Sequence, residues 1–211
     1  MLVSDVLNIV KSKALGRDNY NPDQEFMLLN FFNLAHFELW DALANLDDTA
    51  LTEMTANVTS SNMVISTDNN IPIKARLQVF NGEGRRLRKV SSIDVVRNPR
   101  LAQDKNAYVM ISPSSFRLTY VPLPGEVIPL TFFYTPEAVS LNLNDDLNNV
   151  YPEKRLQYLL ADGTFYHLCF SEEGTRPIRQ QDKALIEWKR GIASEQASLL
   201  NGQSFSTEGM W

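Results

Sequence analysis

Apolar residues recur with helical spacing in two stretches near the start of the chain and two near its end. Between them the pattern changes to a two-residue alternation. The densest helical stretch is 21–46, NPDQEFMLLNFFNLAHFELWDALANL, with no charged residue between Glu25 and Glu38. Asn21 is placed to cap a helix, Pro22 suits its first position, and Gln24 can reach back as in a capping box. Phe26, Leu29, Asn33, Phe37, Trp40 and Ala44 recur at steps of three and four, which places them on one face. Leu28, Phe31, Phe32, Leu34, Ala35 and Leu39 cover much of the remaining circumference. A helix this apolar, about 33 Å long at about 1.5 Å per residue, must be wrapped by other helices or by another subunit. A shorter helix after Ser4, through Asp5–Val10, is predicted to end at Gly16, and 17–21 reads as a turn.

From Leu51 the texture becomes that of strands. Leu51–Thr59 is rich in Thr, Val and Asn, and Ala75–Val79 alternates apolar with polar. Gly82-Glu83-Gly84 predicts a hairpin turn into Arg85–Val90. Ala107–Ile111, Ser115–Val121 and Val127–Tyr134 are further strands, with Pro122, Pro124 and Pro129 implying edges or kinks. Helical spacing returns after a polar linker at Leu141–Val150. Pro152 opens a helix to Phe170 with Leu156, Leu159, Leu160, Tyr166, His167 and Phe170 inward, and Gly163 predicts a kink or break. A last helix at Ile178–Leu200 puts Leu185, Trp188, Ile192 and Leu199 on one stripe and stops at Asn201-Gly202. The expected class is α+β. An antiparallel helical bundle is built from 1–50 and 136–202, with an inserted mostly-β lobe at 51–135 and an extended C-terminal tail at 203–211.

The chain has 211 residues and 44% hydrophobic composition, enough for a real core. Its net charge of −5 argues against general nucleic-acid binding. Cys169 is the single cysteine, so no internal disulfide is expected. Neither a signal peptide nor a membrane span is expected: Met1–Val10 carries Asp5, and the apolar run at Phe31–Phe37 is short and interrupted.

The motifs of catalysis are missing. His36 sits beside Phe37 in the long helix and reads as a packed or hydrogen-bonded histidine. His167 and Cys169 are two apart, which on a helix points them to different faces and spoils a nucleophile pair. Asp47-Asp48 and Asp145-Asp146 read as helix-end and loop polarity. There is no Gly-x-Ser-x-Gly elbow, phosphate loop, dinucleotide fingerprint or Cys/His metal spacing. The expectation is a non-enzymatic protein with no catalytic or metal-ligating residue and no cofactor.

Two features point to partners instead. The run Arg85-Arg86-Leu87-Arg88-Lys89 opens a stretch, 85–105, with seven basic and two acidic residues. It is a solvated arm, a contact for an acidic protein surface, or a contact for phosphates, with protein favoured over DNA. At the C-terminus Phe205, Met210 and Trp211 are apolar anchors of the kind interfaces use, expected to order on a partner.

Three pieces of sequence carry a resemblance to a known family. One is the paired N-terminal helices with Asn33-Leu34-Ala35-His36-Phe37-Glu38-Leu39-Trp40. The second is the proline-punctuated strand pair Phe116–Pro124 and Ile128–Pro136. The third is the helix at Pro152–Phe170 followed by the Trp-bearing helix at Ile178–Leu200. In that order they resemble the head-to-tail adaptor (connector) proteins of tailed bacteriophages. The resemblance spans roughly residues 1 to 200; Leu51–Arg100 does not match word for word. It implies a structural virion protein, made in the host cytoplasm and sited at the neck. A ring of copies, usually twelve, would join the portal ring to tail or nozzle proteins and seal the packaged head. The tail would grip the portal, and the basic run would meet protein or the DNA in the ring lumen. A tail-completion or nozzle ring protein, and a DNA-binding accessory factor using the basic lobe, are the alternatives.

Overall fold

The structure is a computed structural model that describes residues 1–14, 22–46, 51–171 and 178–205. These residues form five α-helices and two β-sheets, an α+β chain. In chain order the helices are α1 (Val3–Lys13), α2 (Pro22–Leu43), α3 (Ser92–Arg97), α4 (Lys154–Ser171) and α5 (Ile178–Phe205). The strands are β1 (Thr52–Val58), β2 (Val64–Ser66), β3 (Ile73–Asn81), β4 (Arg88–Lys89), β5 (Ala107–Ser112), β6 (Ser115–Leu118) and β7 (Ile128–Pro136). Contacts divide the chain into two units, Met1–Leu46 with Ala138–Trp211, and Asp47–Glu137.

In the first unit α4 packs against α1, α2 and α5. The core joins Val6 and Val10 of α1, Leu28, Phe32 and Leu39 of α2, Leu160 and Leu168 of α4, and Trp188 of α5. Asn21 and Gly16, the expected cap and stop of the first two helices, lie outside the described residues. The face that α2 buries is drawn largely from the set that covers the rest of its circumference. Its buried stripe is Leu28, Phe32, Ala35, His36, Leu39 and Leu43, whereas Phe26 is 65% exposed. A helix apolar on most sides carries several overlapping stripes, and only its neighbours select one.

Three expectations are refined in this unit. Leu141–Val150 is more than a polar linker, because Leu141 and Leu147 join the core. Its backbone also takes up donors that α1 leaves unpaired at its start: Val3 N–H bonds Asp145 O at 3.2 Å and Ser4 N–H bonds Leu143 O at 3.0 Å. Helix α4 runs through Gly163 unbroken, and Phe170 at its end is exposed. A Cβ at Gly163 would lie 2.8 Å from the Trp188 ring and 2.9 Å from Ala35 Cβ, so this glycine permits close approach of three helices. Finally, α5 continues through Asn201-Gly202 to Phe205. One glycine costs a helix only about 1 kcal/mol, too little to end it without a left-handed cap.

Asn33 ties α2 to the same 141–150 segment. Its Oδ1 accepts from Leu141 N–H at 2.8 Å, and its Nδ2 donates to Leu141 O and Leu29 O, both at 3.1 Å. Asn33→Ala strands the Leu141 amide and carbonyl in a half-buried place. We expect a loss of about 1–3 kcal/mol, read as a lower urea midpoint at unchanged slope; an unchanged midpoint would show that water replaces the side chain.

In the second unit the sheets are β1-β7-β3 and β2-β6-β5-β4. All pairs are antiparallel except β4 with β5. Val79, Tyr108, Phe116, Leu130 and Phe132 from both sheets share one core. Of the two placements expected for Pro129, an edge or a kink, the edge does not hold, since this residue falls in the middle strand β7. It is tolerated because β3 pairs only as far as Asn81–Leu130, leaving Pro129 opposite Asn57 of β1 alone. The chain turns away there at Gly82, where a Cβ would sit 2.7 Å from the proline ring.

The predicted hairpin is also abbreviated. Asn81 Oδ1 accepts from Glu83 N–H and Arg85 N–H, which closes the turn. After the single Phe80–Arg86 bridge the chain crosses to the other sheet as β4. Helix α3, absent from the sequence reading, is capped by Ser91, whose Oγ accepts from Asp94 N–H at 3.0 Å.

Candidate interaction site

The basic run begins in the turn after β3 and ends as β4. Leu87 is its anchor, buried in the shared core, and it holds the flanking cations at the surface. Arg85, Arg86, Arg88 and Lys89 are all exposed. Arg85, Leu87 and Lys89 do not share one strand face, because the chain changes sheets at Leu87. Arg85 Nε lies 3.5 Å from Glu83 and Arg88 3.4 Å from Asp104. Lys105 donates to Glu126 at 2.6 Å. Three of the seven basic groups of 85–105 thus already face carboxylates, and the positive field available to a long polyanion is smaller than the residue count suggests. Exposed pairs of this kind are individually weak.

Lys89 has different surroundings. With Lys74 and Arg76 it lines a groove of about 500 Å³ between the first half of β3 and the end of β5. None of the groove's lining residues is acidic. Arg76 takes φ of +54° within a register break between Ala75–Thr135 and Gln78–Phe133. Its Nε donates to the buried Thr135 hydroxyl at 3.3 Å. A bulge of this kind re-aims a side chain. Lys74 and Arg76 were missed in the sequence because they stand far from the basic run; the bulge that turns Arg76 leaves no trace in composition.

A second polar feature of this unit braces the 119–127 loop. Glu126 accepts from Lys105, from Leu123 N–H at 2.9 Å and from the Tyr120 hydroxyl at 2.7 Å. These bonds, Lys105 first, hold its carboxyl at about 2, well below the usual range. The loop so fixed carries Val121, Leu123 and Val127 exposed.

The C-terminal anchors are only partly placed. Phe205 is the last residue of α5, while Met210 and Trp211 lie outside the described residues. Asp47 and Asp48 lie outside them too.

The histidines belong to the helical unit. His36 is buried; its Nδ1 accepts the Tyr151 hydroxyl at 2.8 Å, and its Nε2–H donates to Val139 O at 3.1 Å. A carbonyl needs a donor, which assigns the proton to Nε2. Burial lowers the pKa of His36 to about 4 against the partial support of the Val139 carbonyl. Burial likewise pushes the Tyr151 hydroxyl far up. His167 Nε2 is 3.4 Å from Glu38 Oε1 without hydrogen-bond geometry, and burial lowers its pKa despite that carboxylate. The other Glu38 oxygen accepts Trp188 Nε1–H at 2.9 Å. Glu38 therefore links α2 with α4 and α5. Cys169 is buried. Asp145 and Asp146 accept from Asn142 N–H and Asn148 N–H as turn carboxylates.

Among the described residues, no three His, Cys, Asp or Glu side chains gather as a metal site would require, and no helix is long and apolar enough to cross a membrane. No protein-family model matches the sequence, and no curated protein matches it.

Proposed function

We propose that this protein is a structural virion component, a head-to-tail adaptor whose copies form a ring between portal and tail. The observation that carries the reading is the plan of the chain. Helices from both of its ends build one unit, and the β unit Asp47–Glu137 interrupts them in sequence. An antiparallel helical bundle with an inserted β lobe and a C-terminal tail is what the resemblance to the connector family implies. Exposed apolar side chains on three helices of the bundle support contacts between copies. They are Phe26 and Leu34 of α2, Tyr158 and Phe170 of α4, and Ile186 and Leu200 of α5. Adjacent copies would use unlike faces, the mode of contact that closes into a ring. The role is geometric: the ring seals the packaged head and offers the tail a docking surface, while residues past α5 reach the portal.

The test is the mass of assemblies formed with purified portal rings by the full chain and by a chain ending at Phe205. The full chain is expected to add to the portal in a fixed multiple, and the shortened chain to fail. If neither form joins a portal, the adaptor reading falls. Ring formation on a tail or nozzle protein would then favour a tail-completion role. Duplex binding that weakens steeply with salt would favour a DNA accessory factor.

A further inference from the structure

Two asparagines of the chain are followed by glycine, Asn81 and Asn201. Such a pair is chemically labile, because a residue without a side chain leaves its backbone nitrogen open to the neighbouring carboxamide. The fold treats the two pairs differently. Asn201-Gly202 lies inside α5, where the amide of residue 202 belongs to the helical ladder. Asn81-Gly82 lies at the end of β3, at the start of the exposed turn that leads into the basic run.

That turn leaves little choice of residue at either position. A Cβ at 82 would meet the Pro129 ring at 2.7 Å, which selects glycine. Position 81 has to accept hydrogen bonds, since its Oδ1 takes Glu83 N–H at 3.1 Å and Arg85 N–H at 2.9 Å. Its Nδ2 also donates to Asn106 Oδ1 at 3.3 Å, which selects the amide over a carboxylate. The main-chain carbonyl of Asn81 accepts Gly84 N–H at 2.9 Å. The bonds that shape the turn also bear on its chemistry. When a nucleophile adds to the carboxamide carbon, negative charge gathers on Oδ1, and fixed amide donors at that oxygen favour the charged form.

We propose that Asn81 is a site of spontaneous deamidation in the folded protein, a covalent modification that puts a carboxylate at the root of the basic run. The Gly82 nitrogen gives its proton to hydroxide and bonds to Cγ of Asn81, while the carbonyl electron pair moves onto Oδ1. As that pair returns, the Cγ–Nδ2 bond breaks, and Nδ2 takes a proton from water and leaves as ammonia. The five-membered imide then takes up water. Opening between the nitrogen and Cγ gives aspartate. Opening between the nitrogen and the main-chain carbonyl carbon gives isoaspartate, whose chain runs through Cγ. In sum one water is consumed and one ammonia released, with no oxidant or reductant.

The turn also biases the product. Glu83 and Arg85 amides polarise the carbonyl at Cγ, and only the Gly84 amide polarises the main-chain carbonyl, so water is directed to Cγ and aspartate is favoured. Aspartate keeps both acceptor bonds and strengthens them by its charge. Isoaspartate lengthens the main chain and disrupts the bond of the Asn81 N–H to Arg85 O, now 3.0 Å. Either product adds one negative charge close in sequence to Arg85 and Arg86. The inference concerns the β unit alone and does not rest on the adaptor reading.

The experiment incubates the full chain at mildly alkaline pH beside a synthetic peptide of residues 78–88, which has the sequence without the fold. Positions 81 and 201 are followed by peptide mass and by isoaspartyl methyltransferase labelling, with Asn81→Asp as the chromatographic standard for the aspartate product. In the folded chain position 81 is expected to convert at a rate of the same order as in the peptide, with a larger share of aspartate, while position 201 stays intact. Asn81→Gln is expected to abolish the conversion, and the unmodified chain decides the matter even if that variant does not fold. Asn81 still intact when the peptide is spent would overturn the proposal, by showing that the turn holds the carboxamide away from Gly82. Equal conversion at 81 and 201 would overturn it too, since the fold would then select nothing. An aspartate share no larger than the peptide's would overturn the role given to the Glu83 and Arg85 amides.

Discussion

The thermal midpoint of the helical unit is expected to fall as pH drops from 7 toward 4.5, and His36→Gln is expected to flatten much of that fall. The sign follows from burial. In the folded protein the His36 pKa is lowered from 6.5 to about 4, so the ring stays neutral while the unfolded chain takes up a proton. Stability is fully present above about pH 6.5 and is lost progressively down to about pH 4. The whole shift corresponds to about 3 kcal/mol, of which about 2 kcal/mol is gone by pH 5. For a unit of this size that is a drop on the order of 5–10 °C. No surface group could act on this scale, but His36 is 2% exposed, with both ring nitrogens held by Tyr151 and Val139.

His167 contributes in the same direction, because burial lowers it too. The informative quantity is therefore the difference in slope between the unmodified protein and His36→Gln, measured by calorimetry across the pH range. The substitution will cost stability at pH 7, since a glutamine side chain cannot reproduce the ring packing against Tyr151 and Trp40. Glutamine carries no titrating group, so the variant's profile between pH 6.5 and 4 should be shallower. Parallel profiles would mean that His36 charges without unfolding, and that the Tyr151 hydroxyl turns to accommodate it.

How far the fold could be read from the chain depended on how much of each signal was local. Strands β1, β3, β5 and β7 announce themselves by alternation and by Gly or Pro at their ends, and they stand where expected. The two long helices were legible from periodicity, but the buried side of α2 was not. With Leu28 and Leu29, or Phe31 and Phe32, side by side, the sequence offers two stripes, and α4 rather than the pattern selects Leu28, Phe32 and Leu39.

Single-residue stops misled where a glycine was given one meaning. Gly163 and Gly202 both lie within continuous helix. Ser91 and Asp94 do carry a capping signal, but Ile93 and Val96 of α3 are exposed and offer no inward stripe to accompany it. The basic run was visible as composition, while its division was not. Arg85 and Arg88 meet carboxylates, and Lys89 joins Lys74 and Arg76 across a groove assembled from residues 73–77 and 110–113. Such a site depends on a strand ending early, which no local pattern encodes.

Gly163→Ala is expected to destabilise the protein, against the direction that helix propensity gives. Propensity alone favours alanine by about 1 kcal/mol in mid-helix. The added methyl, however, would lie 2.8 and 2.9 Å from two carbons of the Trp188 ring and 2.9 Å from Ala35 Cβ. Neither neighbour can give way easily. Ala35 is a methyl fixed directly to the α2 backbone, and Trp188 is buried and tied through Nε1 to Glu38. Relief requires α4 to move off α2 and α5, which opens the seam that Phe32, Leu160 and Leu168 fill. Overpacking of this kind typically costs about 1–3 kcal/mol, and in a site this rigid the upper part of that range should prevail over the propensity gain. The expected result is a net loss on the order of 2 kcal/mol in urea unfolding. Trp188→Phe removes the ring atoms nearest the new methyl but also the bond to Glu38, so alone it is destabilising. Combined with Gly163→Ala it should cost less than the two single losses added together, because the methyl then occupies vacated space. Strict additivity would mean that the helices separate in the single mutant whatever stands at 188. A gain of stability from Gly163→Ala would mean that the contact of α4 with α2 and α5 is looser than these distances require.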